Sequence, residues 1–413
     1  MKIFKLMIVA LVVMVGFGSC NNHEYDDHSS DLAGTWTCFQ ENYAEALIIS
    51  ADGSAVSTGV EDGEYWENVA GNIVVKDGEI TMTFADNDSF KGHFDIIPGV
   101  AFSIYTAEGE RYTYNYCKED LSEEIIGMWF SDDNDGSDLA GDNMAIQTFS
   151  EDGKTFLTTA ESVITGEQVV NGELEYKVLG DLMFRIAPAE AVSEGVPSAQ
   201  AVRMMYVPNG NSLGDMMYFK VYIPVNGKLQ EVTSAFLRIR ESLNLAGKKY
   251  EYNSSYVSNV KGNDQDIEFM GYTFNFANMD GVLLDKILKS FLFSVEFTEA
   301  NTIKYNRYTN GTLVSEELTI AVEGNKIAIK MSENNSVYKD VDLYAFQDVN
   351  DCQLHMYMSR TAFVNFMFNL RVVNLAESGE IDLTDAAAVE AVYGRVSSAI
   401  ETINLSIVMK KAN

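Results

Sequence analysis

Through most of this chain apolar and polar residues alternate with period two, and Gly, Asn or Asp interrupt the alternation at short intervals. A strand with one buried and one wetted face reads this way, and the interrupting residues supply the positive φ that tight hairpins need. NVAGNIVVKDGEITMTF, VVNGELEYKVLGDLMFRI and ELTIAVEGNKIAIKM each read as such a hairpin. Tyr, Phe, Val, Ile and Thr dominate the alternating segments and only 5 prolines are present, so the pattern predicts an all-β, antiparallel protein. Helical spacing is confined to the last third. MDGVLLDKILKSFLF (279–293) predicts a helix packed across a barrel mouth, and TAFVNFMFNL (361–370) fits a helix or a buried strand. LTDAAAVEAVYGRVSSAIETI predicts a helix capped by Thr384, with Ala388, Val389, Val392, Val396 and Ile400 on one side, before a closing strand INLSIVMKK.

One order of features recurs three times. DLAGTW (31–36), EIIGMW (124–129) and NLAGKKY (244–250) each open a strand. An apolar strand with an acidic turn follows in ALIISADGSA, AIQTFSEDGKT and FSVEFTEANTI, and one of the three hairpins comes next. Gly34, Gly127 and Gly247 lie 93 and 120 residues apart, a spacing suited to small antiparallel β domains. The joints at 118–123 and 240–244 are short, which keeps the units close. The chain therefore divides into a leader (1–19), a tether (20–30) and three units at 31–120, 121–241 and 242–413, the last with helical insertions.

The leader reads as a targeting segment, with Lys2 and Lys5 ahead of an apolar run, Leu6 to Val15, that is too short to span a bilayer stably. Cys20, directly after Gly18 and Ser19, resembles the lipobox cysteine of bacterial lipoproteins, with Phe17 where an aliphatic residue is usual. That resemblance implies removal of residues 1–19 and acylation of Cys20, with palmitate among the chains. Each buried methylene adds about 0.8 kcal/mol, so two or three chains hold a soluble body on a bilayer. The HEYDD run behind Cys20 is similar to the acidic export signal of some surface lipoproteins and also fits a solvated tether. The implied place is the cell envelope, anchored in the outer membrane and open to the surface, with the bilayer as first partner. The formal charge of −32 argues against nucleic acid as a partner.

GTW at 34–36 and GMW at 127–129 resemble the Gly-x-Trp that opens the first strand of lipocalins and of lipocalin-like units in bacterial lipoproteins. The resemblance implies tandem small lipocalin-like barrels or sandwiches. Trp36 and Trp129, behind Gly34 and Gly127, would plug the closed ends, often against a basic residue on the final strand. FLRIR (236–240) offers that residue in the second unit, while Lys249 stands at the tryptophan position of the third. Such an interior is filled by side chains or shaped for one small apolar ligand, and the third unit, with lid material, is the expected binder.

Cys38 lies on the first strand of its unit and Cys117 on the last, neighbours in a closed barrel, so they can form a disulfide; as small buried apolar residues they would stay free. SDDNDGSDLAGD places Ser131, Asp133, Asp135 and Asp142 at positions 1, 3, 5 and 12 of a calcium loop, with Gly136 at position 6. The first reading is a solvated acidic strand-to-strand loop, so no cofactor is expected, and calcium is the one candidate the pattern offers. CQLHMYM (352–358) mixes soft copper ligands, yet on a strand Cys352 and His355 point to opposite faces while His355 and Tyr357 share one. The 4 histidines are scattered and no Gly-x-Ser-x-Gly or His-Glu-x-x-His occurs. The first expectation is thus a non-enzymatic binding or interaction module of the envelope. The alternatives are a hydrolase or carbohydrate-active accessory protein with a site between units, and a structural spacer in a surface assembly.

Overall fold

The computed structural model describes residues 29–412 apart from 86–88, 132–144, 160–172, 194–195, 210–213, 270–271, 279–280, 299–300 and 310–311. Three closed antiparallel barrels of eight strands follow one another along the chain. Barrel 1 is β1 to β8 (Gly34–Phe39, Tyr43–Ile49, Ser54–Glu61, Glu64–Lys76, Glu79–Phe84, Ser89–Ile97, Ala101–Tyr105, Arg111–Cys117). Barrel 2 is β9 to β16 (Gly127–Ser131, Ala145–Phe149, Lys154–Thr159, Leu174–Leu179, Leu182–Ile186, Ala199–Val207, Met216–Val225, Lys228–Ile239). Barrel 3 starts with β17 (Lys249–Gly262), which is followed by a two-stranded ribbon, β18 and β19 (Asp266–Phe269, Tyr272–Asn275). It is completed by β20 to β26 (Ser294–Phe297, Thr302–Thr309, Thr312–Glu323, Lys326–Ile329, Val341–Gln347, Gln353–Met358, Ile400–Lys411). The fold is all-β with few helices. Turns fall where the sequence puts residues tolerant of positive φ: Asp77 and Gly78 (φ 56° and 79°) join β4 to β5.

Each barrel is shut at one end by an aromatic ring. Trp36 and Trp129 are fully buried, and each indole N–H donates to a carbonyl four residues upstream, on Leu32 (2.7 Å) and Ile125 (2.6 Å). Arg238, from the FLRIR segment, pairs with Trp129 across the closing strands. Its guanidinium lies 4.9 Å from the ring centre and donates to the carbonyls of Glu124 and Ile126. In barrel 1 Tyr116 takes that register and meets Trp36 edge-on at 5.0 Å.

Barrel 3 corrects the expectation for Lys249. The closing aromatic is Tyr250, fully buried and paired with Lys411 of the last strand. Leu32, Ile125 and Leu245 each stand two residues before the glycine and are buried alike. The third segment therefore has one extra residue between Gly247 and its aromatic.

Barrel 3 also carries the long helices, Gly281–Phe291, Arg360–Glu377 and Ala386–Ala399. Phe363, Val364 and Met367 of the second share one apolar core with Leu343, Met356 and Ile407 of the barrel wall. The cap of the last helix is Asp385, whose carboxylate accepts from Ala387 N and Ala388 N, whereas Thr384 spends its hydroxyl on Asp382.

Barrel 2 lies between its neighbours. Outward-facing Leu182 and Phe184 of β13 pack on Ala44, Ala46 and Val60 of barrel 1. On the far side, Phe130 of β9 and Ile146 of β10 pack on Phe346 and Tyr357 of barrel 3. Strands at these contacts bury both faces: on β25, Leu354, Met356 and Met358 enter the core of barrel 3, while His355 lies 4.8 Å from Phe130. Cys352 lies outside β25, Met356 and Met358 belong to the core of barrel 3 and His355 packs against barrel 2, so the soft residues of CQLHMYM are divided between core and interface.

The structure corrects the proposed Cys38–Cys117 disulfide, because both thiols are free. In the ladder Cys117 pairs with Thr35 and Cys38 with Tyr114, three positions apart, and an odd offset puts the two side chains on opposite faces. Cys38 points inward, and burial pushes its thiol up to about 12; Cys117 points outward to Gly180 of barrel 2, and burial raises it to about 11. Cys20 and the acidic positions Asp133, Asp135 and Asp142 lie outside the described residues; Ser131 ends β9, buried.

Two outcomes follow from this packing. Alkylation in denaturant without reductant should label Cys38, Cys117 and Cys352 completely, and a Cys38–Cys117 linked peptide by mass spectrometry would contradict the ladder. His355 is held neutral, burial lowering it from 6.5 to about 4. The unfolded chain takes up this proton below about pH 6.5 and the folded chain resists until about 4, so the stabilisation is complete above 6.5 and lost as pH falls towards 4. Between pH 7 and 5 the wild type should lose about 2 kcal/mol more than His355→Gln in urea unfolding.

Candidate functional site

The inward positions of barrel 1 are apolar near Trp36 and change character towards the other end. Along β2 the inward residues are Ile49, Leu47, Glu45 and Tyr43, and Glu45 stands opposite Cys38 of β1. Glu45 is 2% exposed. Its carboxylate accepts from Tyr43 (2.6 Å), from Ser57 (2.5 Å) and from the hydroxyl of Tyr114. The indole N–H of Trp66 donates to Ser57 at 2.7 Å, and the hydroxyls of Tyr43 and Tyr114 lie 3.1 Å apart. Four strands thus contribute to one closed network whose polar hydrogens are spent on one another.

Beside this network lies a cavity of about 360 Å³. Trp66, Phe84, Phe90 and Tyr112 give it aromatic walls, and Glu61 joins Glu45 as a second carboxylate; among the described residues no Lys, Arg or His lines it. The hydroxyls of Tyr43 and Tyr114 are pushed well above their usual range, first by burial and then by the charge of Glu45, so they remain protonated donors. Tyr112 rises to about 12 through burial and its bond to Glu110. Burial and the charges of Asp62, Glu110 and Glu45 raise Glu61. A negative potential and an aromatic surface therefore occupy the same space.

The other interiors differ. Barrel 3, the expected binder, holds a cavity of about 80 Å³ beneath helix Arg360–Glu377, below the roughly 150 Å³ that admits benzene in an engineered core. In barrel 2 Arg185 points inward with its guanidinium 5.8 Å from the Phe219 ring, and burial lowers it to about 10. Gly34, Trp36, Gly127 and Trp129 sit at closed ends, away from the barrel 1 cavity. No group of three or more His, Cys, Asp or Glu able to hold a metal occurs among the described residues. Sequence reasoning missed Glu45, although one signal was present: it has the parity of Leu47 and Ile49 in YAEALII, an acid on the apolar face of its strand.

No protein-family model and no curated protein matches the chain. Among solved structures it is similar to two crystal structures of the vaccine antigen transferrin-binding protein B of Haemophilus parasuis Hp5. The double mutant is 10% identical over 89% of this chain, with a TM-score of 0.23, and the single mutant is 8% identical over 89%, with a TM-score of 0.22. The matches span 65% and 66% of those chains, just under two thirds. A porin-like protein of Bacteroides uniformis is 12% identical over 49% of this chain and 94% of its own, with a TM-score of 0.13.

The network around Glu45 makes a direct prediction. Tyr114→Phe removes one donor from a buried carboxylate and should lower the unfolding free energy at pH 7 by about 1.5–3 kcal/mol in urea titration. An unchanged midpoint would mean the hydroxyl contributes nothing to stability.

Proposed function

We propose that this protein is a non-catalytic binding protein of the cell envelope, tethered through acylated Cys20, with barrel 1 as its small-ligand unit. The observation that carries the reading is the cavity of about 360 Å³ in barrel 1, within the range of roughly 300–1,000 Å³ typical of small-ligand pockets. Binding is favoured over hydrolysis because Tyr43, Ser57 and Tyr114 donate to Glu45 and fix its carboxylate as part of the cavity wall. The tether rests on the lipobox-like cysteine behind its apolar leader.

Native mass spectrometry of the full chain from its own host tests the ligand. A bound small molecule should accompany the wild type and be lost in Val69→Phe, which narrows the cavity; an empty wild-type barrel would overturn the reading. For the anchor, Cys20→Ala should move the protein from the membrane to the soluble fraction, and a membrane-bound variant would refute acylation at that residue.

A further inference from the structure

Resting on the binding reading above, we infer that the barrel 1 cavity takes an organic cation whose charge is clad in alkyl groups, of the quaternary ammonium class, held by the aromatic walls against the charge of Glu45. Three properties of the wall exclude other ligand chemistries in turn. Its charge is negative, since Glu45 and Glu61 line it and, among the described residues, no basic side chain does. Hydrogen bonds from Tyr43, Ser57 and Tyr114 fix the Glu45 carboxylate in place, but a hydrogen bond transfers no whole charge, so the site keeps its attraction for a cation. An anion or a carboxylate-bearing zwitterion meets repulsion there.

The second property is that the polar hydrogens of the Glu45 network and of Tyr112 are already used, with Ser89, an exposed lining residue, standing outside that network. Trp66 donates to Ser57, Ser57 and both tyrosines donate to Glu45, and Tyr112 donates to Glu110. A sugar or another hydroxyl-rich ligand would lose its water hydrogen bonds without finding free donors on these groups. The third is the aromatic surface itself. Trp66, Tyr43, Tyr112 and Tyr114 present ring surface beside the two carboxylates, with Tyr43 6.1 Å from Trp66 and 5.0 Å from Tyr112 between ring centres. A cation over such rings is attracted by their quadrupoles, and a quaternary ammonium, which needs no hydrogen-bond acceptor, matches a wall whose hydrogen bonds are closed on themselves.

The test uses choline and its neutral carbon isostere 3,3-dimethylbutan-1-ol, which have the same shape and differ in charge. Of the 3 tryptophans, Trp36 and Trp129 close barrel ends and Trp66 alone lines the cavity, so tryptophan emission reports occupancy. Choline should change the emission of the full chain at a concentration at least tenfold below that of the isostere, and glycine betaine, which adds a carboxylate, should bind more weakly than choline. Glu45→Gln should erase the preference for choline while retaining binding of the isostere. If that variant does not fold, Trp66→Leu, followed by thermal shift, should weaken choline more than the isostere. Equal binding of both probes, or a Glu45→Gln variant with unchanged choline affinity, would overturn the cation assignment and leave the binding reading intact. So would a neutral or anionic molecule found in the cavity by native mass spectrometry. A barrel that binds neither probe and carries no molecule from its host would overturn both.

Discussion

A closed barrel of eight strands encloses an interior whose width is set by strand number and tilt, and that interior has to be occupied. Protein cores pack at the density of organic crystals, so an enclosed void forfeits contact energy on every wall atom. The three barrels meet this constraint in different ways. Barrel 3 draws helix Arg360–Glu377 across its mouth, and Phe363 and Met367 complete its core. Barrel 2 uses its own aromatic residues, Trp129, Phe149, Phe219 and Phe236. Barrel 1 fills its closed half with Trp36, Phe102 and Tyr114, the last two stacked at 4.7 Å, and leaves its other half open around Glu45. Because the walls share one plan, the filling rather than the framework separates a packed barrel from one with an open cavity.

The same period-two geometry joins the barrels. A strand at a barrel surface normally wets its outer face, but β2, β13 and β25 each meet a neighbouring barrel and bury both. On β2 the small residues Ala44 and Ala46 admit barrel 2, while Glu45 between them points into the cavity. The strand that carries the buried carboxylate is thus clamped from outside by Leu182 and Phe184. A charged group in a cavity needs a rigid support if its hydrogen bonds are to stay aligned. The contact with barrel 2 supplies that support without placing any residue in the cavity.

Much of the fold was legible because it depends on local signals. Alternation, turn residues and the repeated Gly-x-Trp were enough to read small antiparallel barrels in series, and Arg238 of FLRIR does lie over Trp129. What failed depended on register. Cys38 and Cys117 occupy neighbouring strands, yet the three-position offset that separates them exists only in the assembled ladder. The extra residue before Tyr250 moved the closing aromatic one place beyond Lys249, and a fixed-offset comparison cannot register an insertion. Glu45 shares the parity of Leu47 and Ile49, but its donors Ser57 and Tyr114 lie on other strands and meet it only in the assembled barrel, so it was hidden among 61 acids. The cavity was invisible for a related reason, since volume is a property of eight strands together.

Glu45 breaks the rule by which the rest of barrel 1 was read, because an acid stands on the apolar face of its strand. Natural sequences depart from local consistency chiefly at functional sites and compensate elsewhere. The compensation here is visible in the residues that surround the carboxylate. Ser57, Tyr43 and Tyr114 occupy inward positions that an ordinary core would give to apolar side chains, and each donates to Glu45. A packed alternative with Leu at 45 and Phe at 43 and 114 would keep the aromatic contacts and avoid desolvating a charge, since apolar replacement of a buried ionic group is often neutral or stabilising. Stability alone does not account for three side chains committed to holding one buried carboxylate beside an open cavity. The charged ligand proposed for barrel 1 would.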